Sequence, residues 1–176
     1  MPKIVVAIDG WSSCGKSTLA KALAKSLHYA YVDTGAMYRA VTLYFLENGV
    51  DWNDETAVAE ALQHIEVHFE RHPTGNHIFL NGLDVEEKIR EMRISEAVSP
   101  VSTVSAVRRF LVKQQQSMGK RRGIVMDGRD IGTVVFPDAE LKIFLTADPD
   151  VRAERRRSEL EAKGQVYPVE VVKKNL

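Results

Sequence analysis

Eight residues near the start of the chain have the types and the spacing of a phosphate-binding loop. They run from Gly10 to Ser17, read GWSSCGKS, and fit the pattern G-x-x-x-x-G-K-[ST] at every defined position. Both glycines can adopt backbone angles that let successive N–H groups turn towards a phosphate. Lys16 is long enough to reach the β- and γ-phosphates of a nucleotide, and the Ser17 hydroxyl can bind Mg²⁺. The motif therefore predicts a nucleoside triphosphate site with Mg²⁺ as cofactor. Its predicted contacts are Gly10, Trp11, Ser12, Ser13, Cys14, Gly15, Lys16, Ser17 and Thr18.

The residues on either side of this loop predict the elements that must hold it. Before the loop, residues 3–8 form a β-branched run, which is typical of a buried parallel strand. After it, Leu19, Leu23 and Leu27 recur every fourth residue, which predicts an amphipathic helix with a leucine face. The N-terminus of that helix would direct its dipole and its unpaired amides at the phosphate. An ordinary glycine-rich turn would have no need of the Lys-Ser pair.

A second strand and helix are predicted directly after this unit. The apolar residues 29–32 end at Asp33, and Thr34 is placed to cap a helix that carries Arg39. From the residues alone, Asp33 and Thr34 could serve only as caps, and Arg39 could be a solvated charge.

A third apolar run, residues 123–126, ends at Asp127 and is followed by Arg129 and Asp130. In α/β folds the carboxyl ends of the strands present the ligand-binding groups. Asp127 or Asp33 would contact the metal ion on Ser17 through a water molecule. Residues 141–146 predict one more strand, and a helix follows it. That helix, which by itself suggests a solvated basic face, starts at Asp148-Pro149 and carries Arg152, Arg155, Arg156 and Arg157.

The middle of the chain departs from the alternation of strands and helices. Apolar residues alternate with polar ones from Ile65 to Phe69, and a Pro-Thr-Gly-Asn turn separates them from a second apolar run. This pattern predicts a β-hairpin within an inserted subdomain. The histidines near it do not have the spacing of a zinc site, so we interpret them as solvated. Pro100 should break any helix around it.

Composition limits the classes of protein to which the chain can belong. Its 176 residues suit one domain with a small insert, and Lys plus Arg equals Asp plus Glu at 24 each. The balanced charge gives no general attraction to nucleic acid or to anionic membranes. No segment approaches the length of a membrane span or of a signal peptide, and a single cysteine suits a reducing compartment, so we expect a cytoplasmic protein. We interpret Cys14 as a small spacer in the loop rather than as a redox switch.

Three segments taken together resemble the bacterial cytidylate kinase family of nucleoside monophosphate kinases. They are the phosphate loop, the stretch DTGAMYR from Asp33 to Arg39, and the stretch DGRDIGTVVFPDA from Asp127 to Ala139. Their order, their spacing and the β-insert between them match that family over essentially the whole chain. The resemblance implies transfer of the γ-phosphate of ATP to CMP or dCMP, which gives ADP and CDP or dCDP, by a monomer that binds no nucleic acid and no membrane.

The resemblance also assigns roles to residues by position. Arg39 and Arg129 match arginines that hold the phosphate of the acceptor, and Thr34 stands where the family has Ser or Thr near the nucleotide. Ser99, Arg108 and Asp130 match the residues that read cytosine. Arg155 and Arg156 match arginines at the base of the ATP lid. With Lys16, the expected catalytic set is Arg39, Arg129, Arg155 and Arg156.

The expected fold is a P-loop NTPase α/β/α sandwich with a parallel sheet of about five strands. Residues 1–61 and 102–157 would form the core, residues 62–101 an inserted acceptor-binding subdomain, and residues 158–176 the start of a lid. The lid of the family continues into a further acidic and basic segment, and the sequence stops before it. If that segment is absent from the protein, we expect strongly reduced activity.

Two other functions fit part of the sequence. Another P-loop kinase of small molecules, acting on a different nucleotide, on dephospho-coenzyme A or on shikimate, would keep the loop but not the Ser99, Arg108 and Asp130 set. A regulatory or RNA-binding module would use the basic run from Lys120 to Arg122, but the balanced charge and the lack of a basic strand rich in aromatic residues argue against it.

Overall fold

Strands and helices alternate at both ends of the chain, around a middle part built from helices and an antiparallel sheet. A computed structural model describes residues 2–73, 75–162 and 164–174. The strands are β1 Val5–Gly10, β2 Ala30–Asp33, β3 Val67–His72, β4 Gly75–Leu80, β5 Leu83–Asp84, β6 Ile124–Gly128 and β7 Leu141–Leu145. The helices are α1 Lys16–Leu27, α2 Thr34–Glu47, α3 Glu55–Gln63, α4 Met92–Thr103, α5 Ser105–Gly119, α6 Pro149–Glu161 and α7 Val169–Lys174. Two short turns complete the elements, a 3-10 turn at Lys88–Arg90 and a π-helical turn at Ile131–Val135.

The chain packs as two units. The first contains the described residues up to Tyr31 and from Arg122 onward, and the second runs from Val32 to Arg121. The insert predicted at residues 62–101 lies within the second unit, and its role in binding an acceptor stays a prediction. Within the described residues, no helix is both long enough and apolar enough to cross a membrane.

A four-stranded sheet in the order β2-β6-β1-β7 organises the first unit. β1 pairs in parallel with β6 on one side and with β7 on the other, so its residues Val5–Gly10 are all buried. This central position explains the continuous apolar run in the sequence, because both faces of the strand lie in the interior. The α/β fold is confirmed. The sheet has four strands in the described part of the chain rather than about five, since the residues after β7 form only α6 and α7.

Helix α1 packs on this sheet through its alanines. Ala20 and Ala24 are fully or almost fully buried in one cluster with Val6, Ile8 and Val125 of the strands. Leu23 lies partly buried against the cluster. The predicted leucine face is wrong in its outer members, since Leu19 and Leu27 are 37% and 39% exposed. Small side chains let the helix approach the sheet closely, and the leucines to either side are left at the rim.

The second unit combines helices with a separate antiparallel sheet. Met37, Val41 and Phe45 of α2 are completely buried. The predicted hairpin is confirmed as β3 and β4, which pair in antiparallel register with Val67 opposite Leu80, and the short β5 extends it. The side chain of Asp33, not that of Thr34, caps α2 by accepting the N–H of Ala36 at 3.0 Å.

The predicted helix break at Pro100 is wrong. Pro100 lies inside α4, which continues to Thr103. Proline has no N–H for the carbonyl one turn earlier, but here it falls in the last turn, where little of the helix remains to be disrupted. The hydroxyls of Ser102 and Thr103 donate to the carbonyls of Ser99 and Pro100, both at 2.7 Å, and so satisfy groups that the helix end leaves over.

Candidate active site

The phosphate loop joins β1 to α1 through backbone angles that suit an anion site. Gly10, Ser13 and Gly15 have φ values of 150°, 57° and 97°. The N-cap residue of α1 is Gly15, which has no side chain to cap the helix. The first amides of the helix are therefore directed at the loop, where a phosphate would accept their hydrogen bonds.

The side chain of Lys16 extends back over the phosphate loop. Its ammonium group donates to the carbonyl of Trp11 at 2.6 Å and lies 4.0 Å from Sγ of Cys14. Cys14 is buried, which supports its interpretation as a spacer. The remaining loop residues Ser12 and Ser13 are half-buried, whereas Trp11 and Thr18 are exposed.

Asp127 is the acidic residue that the structure brings to the loop. It is only 3% exposed and stands at the carboxyl end of β6. The hydroxyl of Ser17 donates to Oδ2 of Asp127 at 3.1 Å, and that of Tyr31 donates to Oδ1 at 2.9 Å. A hydroxyl and a carboxylate are hard oxygen ligands of the kind that Mg²⁺ uses beside water and phosphate. In the part of the chain that is described, no three His, Cys, Asp or Glu side chains form a metal site of their own.

Asp33, the other carboxylate predicted near the metal, has contacts with other residues instead. Its Oδ1 caps α2, and its Oδ2 lies 3.6 Å from a guanidinium nitrogen of Arg90 in the second unit.

Arg129 and Asp130 occupy the turn between β6 and the π-helical turn. The guanidinium of Arg129 lies 5.9 Å from the centre of the Trp11 ring, within the range of a cation–π contact. Burial lowers the pKa of Arg129 from its ordinary value; the Cys14 sulfur acts in the opposite direction, and the positive charge of Arg152 lowers it further. Arginine stays protonated in proteins, so this is a cation in surroundings that a bound anion would stabilise.

Asp9 fixes this turn from the neighbouring strand. Its two carboxylate oxygens accept the N–H groups of Ile131 and Gly132 at 2.7 and 2.8 Å. This residue was not among the predicted site residues. The signal was an acidic side chain at the carboxyl end of a buried strand, directly before the phosphate loop. Tyr31 was missed as well, because its partner lies 96 residues away.

Helix α6 begins with a cap from Asp148 and a proline in its first turn, as predicted. A guanidinium nitrogen of Arg155 lies 3.8 Å from the point where a Cβ on Gly15 would stand, so this side chain reaches the phosphate loop. Two guanidinium nitrogens of Arg152 are buried without a hydrogen-bond partner among the described atoms. Arg156 lies 3.4 Å from Glu159, and Arg157 pairs with Glu154 and Glu161, which places Arg157 on a solvated basic and acidic face.

The residues predicted to bind the acceptor are divided between the two units. Arg129 and Asp130 belong to the first unit, and the others belong to the second. Thr34 is buried at the start of α2, Arg39 is half-buried on α2, Ser99 is exposed on α4, and Arg108 is half-buried on α5. Helices α2, α4 and α5 pack on one another, so the second unit gathers the elements that carry its four candidates. Their joint role in binding a nucleotide stays a prediction.

Comparison with known proteins shows which family the chain resembles. The family described as cytidylate kinase matches residues 6–176. A protein named cytidylate kinase from Bacteroides thetaiotaomicron is 56% identical over 100% of this chain and 79% of its own length. Its namesake from Parabacteroides distasonis is 55% identical over the same shares. One from Cytophaga hutchinsonii is 53% identical over 100% of this chain and 76% of its own length. The chain therefore belongs to the cytidylate kinase family.

Proposed function

We propose that the protein transfers the γ-phosphate of ATP to CMP or dCMP and releases ADP with CDP or dCDP. The observation that carries this proposal is the contact of Ser17 with the buried Asp127 beside the phosphate loop, in a chain of the cytidylate kinase family. A phosphate loop needs both the cation of Lys16 and an oxygen ligand pair for a metal before it can activate a nucleoside triphosphate.

The donor nucleotide binds in the first unit. The loop amides and Lys16 surround its β- and γ-phosphates. Ser17 would hold Mg²⁺, and Asp127 would contact that ion through water. The ion supplies charge neutralisation between the phosphates when it is bound. Asp127 suits this role better than Asp33, whose carboxylate is occupied by the cap of α2 and by Arg90.

The acceptor nucleotide binds through arginines and a small set of polar side chains. Arg39 and Arg129 hold its phosphate, because the planar guanidinium matches two phosphate oxygens at once. Ser99, Arg108 and Asp130 read cytosine, with a carboxylate for its exocyclic amine and donors for its ring acceptors. Thr34 lies near the same nucleotide.

The protein contributes to the reaction mainly by positioning the two nucleotides and by supplying positive charge. The attacking group is an ionised phosphate oxygen, so no general base is required. Positive side chains offset the repulsion between the two nucleotides and stabilise the charge on the transferred phosphoryl group. These side chains are Lys16, Arg39, Arg129, Arg155 and Arg156. Closure of the lid over both substrates would exclude water and suppress hydrolysis of ATP. We assign the protein to the cytoplasm as a monomer.

A coupled assay of ADP release tests the proposal directly. The protein is given Mg-ATP with CMP, dCMP, UMP, AMP or GMP in turn. We expect turnover of CMP and dCMP well above that of the others. Equal use of several acceptors would favour a nucleotide kinase of broader range, and no ADP release with any of them would refute the proposal.

A further inference from the structure

Asp9 is a buried carboxylate for which the proposed reaction has no role so far. It belongs to β1, directly precedes Gly10 of the phosphate loop, and is 8% exposed. Both of its oxygens are engaged, one by the N–H of Ile131 at 2.7 Å and the other by the N–H of Gly132 at 2.8 Å. Hydrogen bonds from buried amides to a carboxylate are among the stronger polar contacts in proteins.

The backbone of Asp9 lies beside the opposite end of the same turn. In the parallel pair of β1 and β6, Asp9 stands in register with Gly128, the last residue of β6. Only Arg129 and Asp130 lie between Gly128 and the amides that the carboxylate binds. The two residues assigned to the acceptor therefore form a turn that starts beside the backbone of Asp9 and ends at the amides that its carboxylate binds.

The space around the carboxylate leaves it little freedom. A Cβ added at Gly132 would lie 3.3 Å from Oδ2 of Asp9 and 3.2 Å from Cδ of Lys142. Because Asp9 is followed immediately by Gly10, the residue whose carboxylate binds the turn carrying Arg129 is bonded directly to the first residue of the phosphate loop.

We propose that Asp9 is a positioning residue that couples the phosphate loop to the turn presenting Arg129 and Asp130. This inference rests on the proposed function, in which those two residues bind the acceptor. Asp9 touches neither nucleotide. It sets where the guanidinium of Arg129 and the carboxylate of Asp130 stand relative to the phosphate that the loop holds.

The variant Asp9→Asn tests this role with little change of shape. Its amide oxygen can accept one of the two N–H groups, but its NH₂ group faces the other, where it cannot accept. The first measurement is amide hydrogen exchange at Ile131 and Gly132, which does not depend on any activity. We expect exchange there to become faster on the order of tenfold, which corresponds to the loss of one such hydrogen bond.

Steady-state kinetics with each nucleotide supply the second measurement. We expect kcat/KM for CMP to fall on the order of tenfold, while the KM for ATP stays within about twofold, because the loop itself keeps its ligands. The matched control is Asp138→Asn, the same change at an exposed aspartate, which should alter neither quantity.

Results other than these would contradict the proposal. Unchanged exchange at Ile131 and Gly132 would show that the carboxylate does not fix the turn. Faster exchange with unaltered CMP kinetics would remove the positioning role. An equal loss for CMP and for ATP, with a lower melting temperature, would leave Asp9 a merely structural residue. If the unaltered protein phosphorylates no nucleotide, the proposed function fails and the acceptor role with it, but the exchange data still report on the turn.

A second variant serves if Asp9→Asn does not fold. Gly132→Ala has a backbone conformation open to alanine and crowds the same carboxylate from the other side. We expect the same pattern with a smaller loss for CMP, about two- to fivefold, because the contact shifts by tenths of an ångström rather than disappearing. Identical exchange and kinetics in this variant would count against the proposal.

Discussion

The hydroxyl of Tyr31 donates a hydrogen bond to Oδ1 of Asp127 at 2.9 Å, while Ser17 donates to the other oxygen of the same carboxylate. Asp127 is buried, so each of its oxygens needs a partner, and strand β2 and helix α1 supply these partners. The contact fixes the orientation of the carboxylate that we assign to the metal ion. Tyr31 thus supports the phosphate loop without belonging to it.

Tyr31→Phe should therefore destabilise the protein. The change keeps the ring, which packs beside the core of the first unit, and removes one of the hydrogen bonds to the buried carboxylate of Asp127. We expect the free energy of unfolding to fall by about 1–3 kcal/mol. Urea denaturation followed by fluorescence or circular dichroism measures it. Tyr44→Phe is the matched control, since Tyr44 is half-buried like Tyr31. Equal stability of the Tyr31 variant and the unaltered protein would mean that water replaces the hydroxyl.

Gly10→Ala should be far more harmful than the same change at Gly75. Both glycines have positive φ, 150° and 143°, so both substitutions strain the backbone. At Gly10, however, the new Cβ would lie 2.1 Å from the carbonyl oxygen of Leu145, whereas at Gly75 nothing described lies within 4 Å. We expect a loss of about 1–2 kcal/mol at Gly75 and of more than about 3 kcal/mol at Gly10. Similar urea midpoints for the two variants would show that backbone strain, not the clash, sets the cost.

Lys16→Ala should reduce phosphate transfer strongly while leaving the fold intact. The ammonium group donates a hydrogen bond to the carbonyl of Trp11 within the loop, and we propose that it is the cation that contacts the transferred phosphate. We expect kcat to fall by a factor on the order of a hundred or more, as for the removal of other groups that stabilise transition-state charge. The assay is ADP release at saturating CMP. Lys25→Ala, an exposed lysine near the end of α1, is the control that should keep full activity.

The antiparallel sheet of the second unit contains a carboxylate whose contribution to stability depends on pH. The pKa of Asp84 is lowered from 3.8, first by the N–H of Glu86, next by the hydrogen bond with His77, and also by the charges of His77 and His72. A carboxylate with a depressed pKa stabilises the fold fully above its ordinary pKa and loses that contribution as pH falls through the lowered value. Asp84→Asn should thus be less stable than the unaltered protein at pH 7, and the difference should shrink below about pH 4.

Thermal unfolding at several pH values checks the Asp84 prediction. The control Asp138→Asn, at an exposed position, should change the unfolding free energy by less than about 0.5 kcal/mol at neutral pH. A gap between Asp84→Asn and the unaltered protein that stays constant down to pH 3 would assign the effect to packing rather than to charge.

The sequence predicted those parts of the site that depend on local residue types. Gly10 and Gly15 are required by the backbone of a short loop, and both carry the positive φ that such a loop needs. The hairpin likewise follows from alternation and a turn, which are properties of neighbouring residues. Asp127 was placed correctly at a strand end because parallel strands present their carboxyl ends at one edge.

Contacts between distant segments could not be predicted in this way. The hydrogen bonds that Ile131 and Gly132 donate to Asp9 join residues more than a hundred positions apart, and no local sequence pattern predicts these bonds. The prediction of the buried face of α1 was wrong for a related reason. Periodicity marks Leu19 and Leu27 as apolar, but the distance between helix and sheet decides which side chains are buried, and it favours Ala20 and Ala24.

Asp130→Ala should narrow the preference for CMP over UMP. The proposed role of its carboxylate is to accept from the exocyclic amine of cytosine, which uracil lacks, so its removal takes away a contact that only CMP makes. The turn should persist, because the contacts of Asp130 with Val134 and Val135 use its backbone carbonyl. We expect the ratio of kcat/KM for CMP to that for UMP to fall on the order of tenfold or more, mainly through slower use of CMP. Asp138→Ala, at an exposed position eight residues further along the chain, should leave the ratio unchanged. If Asp130→Ala reduces both substrates equally, the carboxylate contributes to the shape of the turn and not to reading the base.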